Sequence, residues 1–254
     1  MNQGTLRNSA LRSLSLGFRR WLRAQQRRFH LQWPPVGTVR FGSFRRVTPI
    51  SGAFAQDRGT SIVRHYIEDF LAGCSHDIQG RVLEFGDDRY TRMFGSPRIV
   101  KGDVLNVAEG FPGTTILADI TREVPIAPDA YDCIICTQTL QMIHEVRAAL
   151  STLHRILKPG GVLLVTSHGI SQVGRHEGKD PWGEHWHFTS QSKRRLFGEL
   201  FPSENVIIRT YGNVLAAMCF LHGLASEELS REELDYHDPG YELIIGVRAV
   251  KPVG

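Results

Sequence analysis

Acidic residues follow three successive apolar segments of the sequence, and their side chains could bind a nucleoside. Gly86 comes directly after the first segment and is followed by the acids Asp87 and Asp88, and its lack of a side chain lets a ligand approach the backbone. Asp103 ends the second segment, in position to accept hydrogen bonds from ribose hydroxyls. Asp119 ends the third, where its carboxylate could receive an amino group while Ile120 supplies an apolar wall for a purine. A single acid at such a place is commonly a turn or cap residue, but three in succession indicate a binding site.

Histidines are the second group of reactive side chains, and four of them lie between residues 168 and 190: His168, His176, His185 and His187. A neutral imidazole accepts a proton near neutral pH, so these residues are candidates for a general base. The preferred candidates are His187, His185 and His168. Residues 185–188 read His185-Trp186-His187-Phe188. If this segment is extended, the two histidines point to one face, and Trp186 and Phe188 point to the other. The alternative is that the histidines only form turns or lie on the surface.

The same region contains no predicted metal site. The spacings of the histidines match no helical His-pair motif, and the acids Glu177, Asp180 and Glu184 complete no obvious ligand set. Cys133 and Cys136 resemble a CxxC pair, but they fall within an apolar run. In a strand, residues three apart point to opposite faces, so a shared metal is not expected. Four cysteines in a chain of 254 residues form no disulfide framework, which indicates a reducing compartment.

Short apolar runs and helical patterns alternate along most of the chain. The runs typical of buried strands are residues 81–85, 98–102, 115–118, 131–137 and 162–167. Helices are predicted at 62–73, entered at Thr60 or Ser61, and at 144–157, where Lys158-Pro159-Gly160-Gly161 ends the helix. This alternation predicts a doubly wound α/β fold whose mostly parallel sheet has helices on both faces. In such a sheet, ligands bind beyond the carboxyl ends of the strands.

A polar segment at 168–190 separates this part from the C-terminal third. A loop of that length is more often functional than idle, and we expect it to close over an acceptor. The elements predicted after it are a helix at 191–201, a strand at 205–210, a buried helix at 214–221, a short helix after Ser230 and a strand at 243–250.

Charge divides the chain into an N-terminal arm, residues 1–44, and a domain, residues 45–254. Residues 1–56 contain ten arginines and no acid, whereas the remaining residues carry 20 basic and 26 acidic groups. The arm could form a basic amphipathic helix on an anionic membrane or contact nucleic-acid phosphates, nucleic acid being the less favoured partner. A solvated leader or an organelle transit peptide is the alternative. No run of about twenty apolar residues occurs, so we expect a soluble, cytoplasmic protein with at most a peripheral membrane contact.

Four segments resemble the class I methyltransferases that use S-adenosylmethionine. They are Val82-Leu83-Glu84-Phe85-Gly86, Ala118-Asp119-Ile120, Tyr131-Asp132-Cys133-Ile134-Ile135 and residues 155–164, of which the last is the most specific. A narrower resemblance links residues 45–251 with bacterial methyltransferase-domain proteins that are often encoded beside glycosyltransferases. Its segments include Asp57-Arg58-Gly59, Thr137-Gln138-Thr139-Leu140-Gln141, Gly212-Asn213-Val214 and His237-Asp238-Pro239-Gly240-Tyr241.

The resemblance implies a role for the residue at each strand end. Glu84 and Gly86 would flank the methionine part of the cofactor S-adenosylmethionine. Asp103 would hold the ribose, and Asp119 would receive the adenine amino group beside Ile120. The first three strand ends would therefore form one continuous cofactor site.

The sulfonium side of the cofactor would face Thr137 and Gln138, at the end of the fourth strand. The family usually has three alternating glycines after the first strand, whereas Asp88 and Tyr90 stand at the second and third positions here. The carboxylate of Asp88 could complement the sulfonium charge at short range. The implied function is methyl transfer to a small-molecule or glycan acceptor, preferably O-methylation of a sugar. A catalytically silent binding module is the alternative, because two glycines are missing.

Overall fold

The computed structural model describes residues 15–29, 34–95, 97–174 and 183–253, and the chain divides into the units Met1–Val47 and Thr48–Gly254. The described part of the first unit contains helix α1, Leu16–Arg28, and a 3₁₀ turn at Gly42–Phe44. On α1, the exposed rings of Phe18 and Trp21 stack with their centroids 5.6 Å apart. Within the described residues, no helix combines the length and the apolar composition needed to cross a bilayer.

Deletion of residues 1–44 is expected to leave a domain that melts cooperatively. All the strands of the sheet and all the segments that carry the family resemblance lie in the second unit, which is why we expect its core to form without the arm. Thermal denaturation followed by circular dichroism would check this. A broad, non-cooperative transition in the truncated protein would show that the arm packs on the core.

The second unit is built on a seven-stranded sheet with the order β3-β2-β1-β4-β5-β7-β6. Strands β1 to β5 are parallel, and β7 runs antiparallel between β5 and β6. The strands are β1 Gly80–Phe85, β2 Ile99–Asn106, β3 Ile116–Leu117, β4 Tyr131–Thr137, β5 Leu157–His168, β6 Val206–Tyr211 and β7 Ile244–Val250. The doubly wound, mostly parallel sheet predicted from the sequence is confirmed.

The helices of the second unit also match their predicted places closely. They are α2 Ile62–Gly73, α3 Val146–Ile156, α4 Ser190–Phe197, α5 Val214–Leu221 and α6 Arg231–Asp235. The capping box predicted at Ser230 is present, because its hydroxyl accepts from the backbone N–H of Glu233 and the Glu233 carboxylate accepts from the N–H of Ser230. The segment Lys158-Pro159-Gly160-Gly161 follows α3, as predicted, and it already belongs to β5. The backbone N–H of Gly160 donates to the carbonyl of Lys251 at 2.9 Å.

Helices cover both faces of the sheet because alternate strand residues point to opposite sides. On one face, Ile245 and Val247 belong to a buried cluster with residues of α3 and α4. On the other face, β7 lies so close to α2 that a Cβ atom at Gly246 would be 2.5 Å from Cδ2 of Phe70. Glycine at this position allows the helix to sit directly on the strand.

Strand β2 continues four residues beyond its predicted end at Gly102. In the register with β1, Leu83 pairs with Asp103 and Phe85 pairs with Leu105, so the carboxyl end of β2 is at Asn106. All four of the additional residues are buried. The prediction that Asp103 ends the strand is wrong, because a buried acid within a strand interrupts the apolar run just as a strand end does.

Candidate functional site

One cavity of the second unit lies where the parallel strands end and the strand order reverses, between β1 and β4; we call it the larger cavity because it exceeds the neighbouring cavity described below. Its volume is about 490 Å³, and residues that follow β1, β2, β3 and β4 line it. Six of the residues singled out in the sequence lie in its wall: Gly86, Asp119, Ile120, Thr137, Gln138 and His185. Five others do not: Glu84, Asp88, Asp103, His168 and His187.

Gly86 forms an open part of the wall directly after β1. Its φ angle of +90° lies in the left-handed region, and a Cβ atom built there would meet no atom within 4 Å. The backbone therefore leaves space in front of it that a ligand could fill.

Glu84 is buried and does not line the larger cavity. Its buried carboxylate accepts hydrogen bonds from the backbone N–H groups of Tyr90 at 3.0 Å and Thr91 at 2.7 Å. Burial raises its pKa, while the hydrogen bonds from Thr91 and Tyr90 oppose this change. Both carboxylate oxygens therefore hold the loop that follows Gly86, and the role of Glu84 beside a ligand stays a prediction.

Asp88 also lies outside the cavity. Its carboxylate forms an ion pair with Arg92, one turn along the chain, at 3.0 Å. The charge of this carboxylate is therefore compensated locally. The structure does not support the predicted role of Asp88 toward a positive charge in the cavity.

Asp103 is buried in the middle of β2 and faces the other end of the sheet. One of its oxygens accepts hydrogen bonds from Nη2 of Arg81 at 2.8 Å and from the hydroxyl of Tyr131 at 3.0 Å. Burial acts to raise its pKa, but the hydrogen bonds from Arg81 and Tyr131 outweigh it and lower the pKa. Asp103 therefore stabilises the sheet and does not reach the cavity.

Asn106 takes the place at the end of β2 that the sequence analysis gave to Asp103. Its side-chain amide donates to the carbonyl of Gly86 at 2.9 Å and to the hydroxyl of Thr114 at 2.8 Å. These bonds fix the amide group, and the residue lines the cavity. The apolar pair Val104-Leu105 before Asn106 was the signal in the sequence that the strand continues.

Asp119 lies two residues beyond β3 and is positioned by its own turn. One oxygen accepts from the backbone N–H of Thr121 at 2.9 Å and from the Thr121 hydroxyl at 2.7 Å. The hydroxyl hydrogen bond from Thr121 is the main cause of its lowered pKa, so the group is ionised at neutral pH. The neighbouring Ile120 is buried and contributes an apolar surface to the same cavity.

Gln138 stands between the larger cavity and a second, smaller one. Its φ angle is +49°, and its backbone N–H donates to the carbonyl of Thr166 at 2.9 Å, which holds the chain in this left-handed conformation after β4. The smaller cavity has a volume of about 190 Å³. It shares Gln138 and Met142 with the larger cavity, and its other walls include Phe54, Val63, Gln141, His168, Glu184 and Phe220.

A cluster of three side chains, which we call the His-Glu-His cluster, adjoins the smaller cavity. It consists of His168, Glu184 and His187, whose ligand atoms lie within 4.8 Å of one another. The histidines and acids of this region therefore include three side chains placed closely enough to share an ion, which residue spacing alone did not indicate. Residue spacing did not reveal the cluster, because His168 ends β5 and the other two residues return to it from 16 and 19 residues further along. His176, Glu177 and Asp180 lie outside the described residues.

Polar contacts hold two members of this cluster, His168 and Glu184, in place. The Nδ1 atom of His168 is 3.1 Å from Oε1 of Gln138, and its Nε2 atom contacts the carboxylate of Glu184. The other carboxylate oxygen of Glu184 accepts from the backbone N–H of Gly174 at 2.6 Å. Burial lowers the pKa of His168, although the Glu184 carboxylate opposes this change.

The segment after Glu184 is anchored to the rest of the site. The backbone N–H groups of His185 and Trp186 both donate to the carbonyl of Gln141, at 2.8 and 3.1 Å. The indole N–H of Trp186 donates to the carbonyl of Ile143 at 2.9 Å. These bonds place His185 in the wall of the larger cavity and leave the ring of His187 edge-on against His168.

Comparisons with known proteins agree with this architecture. The sequence model of a family described as "Methyltransferase domain" matches residues 60–205. No curated protein matches the sequence. The structure is similar to that of the [4+2]-cyclase SpnF, with 18% identity, a TM-score of 0.50 and coverage of 78% of this chain and 84% of that one.

Two structures of methyltransferases are also similar. The CurJ carbon methyltransferase has 14% identity and a TM-score of 0.50 over 78% of this chain and 57% of that one. The N-methyltransferase NodS from Bradyrhizobium japonicum WM9 has 15% identity and a TM-score of 0.47 over 75% of this chain and 97% of that one. At these identities the likenesses to SpnF and CurJ show the fold and leave the reaction open.

Proposed function

Because the chain belongs to the methyltransferase-domain family, we propose that it transfers the methyl group of S-adenosylmethionine to a hydroxyl group of a small-molecule or glycan acceptor. The observation that carries the proposal is the larger cavity at the switch point of the sheet, which has Gly86, Asn106, Asp119 and Thr137 in its wall. These residues belong to four different strand ends. An extended ligand with apolar, hydroxyl and charged parts therefore finds a different environment along its length.

The larger cavity offers one group to each part of the cofactor. Asp119 is ionised and receives the adenine amino group, and Ile120 packs against the ring. Asn106 takes the ribose in place of Asp103, because its Nδ2 atom is occupied within the protein and its Oδ1 atom can accept from a hydroxyl. The open space before Gly86 admits the methionine part. Thr137 and Gln138 then lie toward the sulfonium and the smaller cavity.

The smaller cavity is the proposed site of the acceptor. It adjoins the larger cavity at Gln138, and it combines apolar walls with the amide of Gln141 and the edge of the His-Glu-His cluster. This mixture suits a sugar, which presents both C–H faces and hydroxyl groups. A sugar as the acceptor rests on the narrower family resemblance.

Methyl transfer to a hydroxyl group requires that the acceptor oxygen, the methyl carbon and the sulfur lie in line, and that the hydroxyl loses its proton. The acceptor oxygen attacks the methyl carbon, the carbon–sulfur bond breaks, and its electron pair stays on the sulfur of S-adenosylhomocysteine. Among the three histidine candidates we place His185 first as the group that takes the proton, because it lines the larger cavity. His168 directs one ring nitrogen toward Gln138 and the other toward Glu184, so we place it after His185.

The rival function is a binding module that has lost catalysis. It is favoured by Asp88 and Tyr90, which stand where the family has glycines. Isothermal titration with S-adenosylmethionine separates the two functions, because the proposal requires a saturable heat of binding. Absence of binding by the folded protein would reject methyl transfer.

Asp119→Ala is expected to weaken the binding of S-adenosylmethionine by about 1 to 3 kcal/mol, or roughly 5- to 150-fold, which is the scale for losing a hydrogen bond to a charged group. The measurement is titration calorimetry on protein whose melting is unchanged. Asp132→Ala is the matched control, since Asp132 lies at the start of β4 and binds Lys158. Asp103→Ala should lower the melting temperature and leave the affinity alone. Equal affinities in wild type and Asp119→Ala would reject the assignment of the adenine site.

The N-terminal unit suggests a separate contact with anionic membranes. In α1, Arg20 and Arg28 accompany the stacked and exposed rings of Phe18 and Trp21. Basic groups together with aromatic rings are typical of helices that lie on anionic lipid. Flotation with anionic and neutral liposomes tests this contact, and the protein lacking residues 1–44 is the control.

A further inference from the structure

A buried carboxylate lies between two imidazoles in the His-Glu-His cluster, and neither the fold nor the proposed cofactor site accounts for it. The side chains of Glu184 and His168 are only 3% and 8% exposed. His187 lies on the solvent side, with its ring centroid 4.9 Å from that of His168. An ionised carboxylate at such a site requires a positive partner.

The hydrogen bonds around His168 determine which of its ring nitrogens carries the proton. Oε1 of Gln138 accepts from Nε2 of Gln141 at 2.9 Å and lies 3.1 Å from Nδ1 of His168. That oxygen can only accept, and it is closer to Nδ1 of His168 than is the amide nitrogen of Gln141, which lies 3.5 Å away, so we assign Nδ1 as the donor. The Nε2 atom then presents a lone pair, and it has no hydrogen bond of ordinary geometry. A lone pair and a carboxylate oxygen thus face each other in the buried part of the cluster.

We propose that His168, Glu184 and His187 bind a divalent first-row transition-metal cation of the zinc type. Two imidazoles and one carboxylate are a ligand set that such cations accept. The support behind the ligands also fits a metal site, because Gln138 orients His168 through the nitrogen opposite the cation and the N–H of Gly174 orients Glu184. The cation supplies the positive partner that the buried carboxylate requires.

Three protein ligands leave at least one coordination position open. His168 and Glu184 both line the smaller cavity, so the open position faces the proposed acceptor site. If the proposed function holds, a hydroxyl of the acceptor occupies this position, and the cation lowers the pKa of that hydroxyl before the methyl group is transferred. His187 then serves as a ligand and not as the base. Cation binding itself does not depend on the proposed function.

The test uses the full chain without a histidine tag, treated with a chelator and then titrated with Zn²⁺ by calorimetry. The absorption spectrum with Co²⁺ gives a second readout that depends on the ligands. We expect one equivalent of Zn²⁺ to bind. His187→Ala, which changes an exposed side chain, and Glu184→Gln, which keeps its shape, should each weaken binding by at least roughly a hundredfold. His185→Ala is the control, because His185 lies in the same segment but outside the cluster.

Two results would overturn the cation site. One is absence of saturable binding in the wild-type protein, in which case a shared proton joins His168 to Glu184. The other is an equal loss of affinity in His185→Ala and His187→Ala, which is the pattern of adventitious surface binding. Titration of the same samples with S-adenosylmethionine keeps the two proposals apart. Binding of Zn²⁺ without binding of S-adenosylmethionine would remove the proposed function and leave the cation site in place.

Discussion

Replacement of Gly86 by valine is expected to reduce the affinity for S-adenosylmethionine by at least roughly a hundredfold, because the new side chain enters the cavity and strains the backbone. The space beside Gly86 is open, so a branched side chain would occupy the volume proposed for the methionine part of the cofactor. A β-branched residue at φ +90° is also strained, by an amount on the order of 1 to 3 kcal/mol. Calorimetric titration of the folded variant measures the loss.

Gly110→Val is the matched control for this prediction. Gly110 has a similar φ angle of +99° and equally open surroundings, but it does not line the cavity. The control variant therefore carries the same kind of backbone strain without blocking the ligand. Both variants should melt at lower temperature than the wild type, and only Gly86→Val should lose binding. Normal affinity in Gly86→Val, or an equal loss in both variants, would place the cofactor elsewhere.

Replacement of Lys193 by methionine is expected to stabilise the protein below pH 7 and to remove a pH dependence of its stability. The side chain of Lys193 is completely buried in α4. Its Nζ atom donates to the hydroxyl of Ser167 at 2.8 Å and lies 3.7 Å from the ring centroid of Phe188. Burial lowers its pKa to about 7. The fold therefore holds an ammonium group poorly and a neutral amine well.

The direction of the pH effect follows from comparing the folded and unfolded chains. An unfolded lysine has a pKa of about 10.4, so between about pH 7 and pH 10 the unfolded chain binds the extra proton. The free energy of unfolding contributed by this group therefore rises with pH across that window. It is lost as the pH falls toward 7. A difference of about three pKa units corresponds to roughly 4 to 5 kcal/mol.

Urea unfolding of wild type and Lys193→Met at pH 6.5 and pH 9.5 measures the effect. The advantage of the variant over the wild type should shrink by several kcal/mol between the two pH values, because only the wild type gains from losing a proton. Lys101→Met is the control, since the side chain of Lys101 is 59% exposed. A constant difference between Lys193→Met and wild type at both pH values would show that the amine is neutral or solvated throughout.

The fold could be predicted from the sequence because the information about each element is local. The apolar run of β4 and the capping pattern at Ser230 both identify their elements without any knowledge of distant residues. The position of the larger cavity followed from the same reasoning, since parallel strands end at one edge of the sheet. Asp119 lies at that edge because it comes just after a strand whose end is marked in the sequence.

The parts of the site that depend on tertiary structure could not be predicted in this way. Asp103 looked like a strand end, but Arg81 and Tyr131 bury its charge within the sheet, and neither partner is visible from local spacing. The His-Glu-His cluster was missed for a related reason. His168 ends a strand, and its partners return to it only because the following segment bonds back to Gln141. A pattern search for metal ligands assumes a regular element, which this cluster does not use.

The position of β7 has a consequence for how the chain folds during synthesis. β7 is made after the other six strands of the sheet, yet within the described residues it is the only strand that pairs with β6, and it separates β6 from β5. Until the ribosome has released these residues, β5 has an unpaired edge and β6 has no partner. Exposed strand edges favour aggregation, so the newly made chain should depend on chaperones most strongly just before β7 emerges.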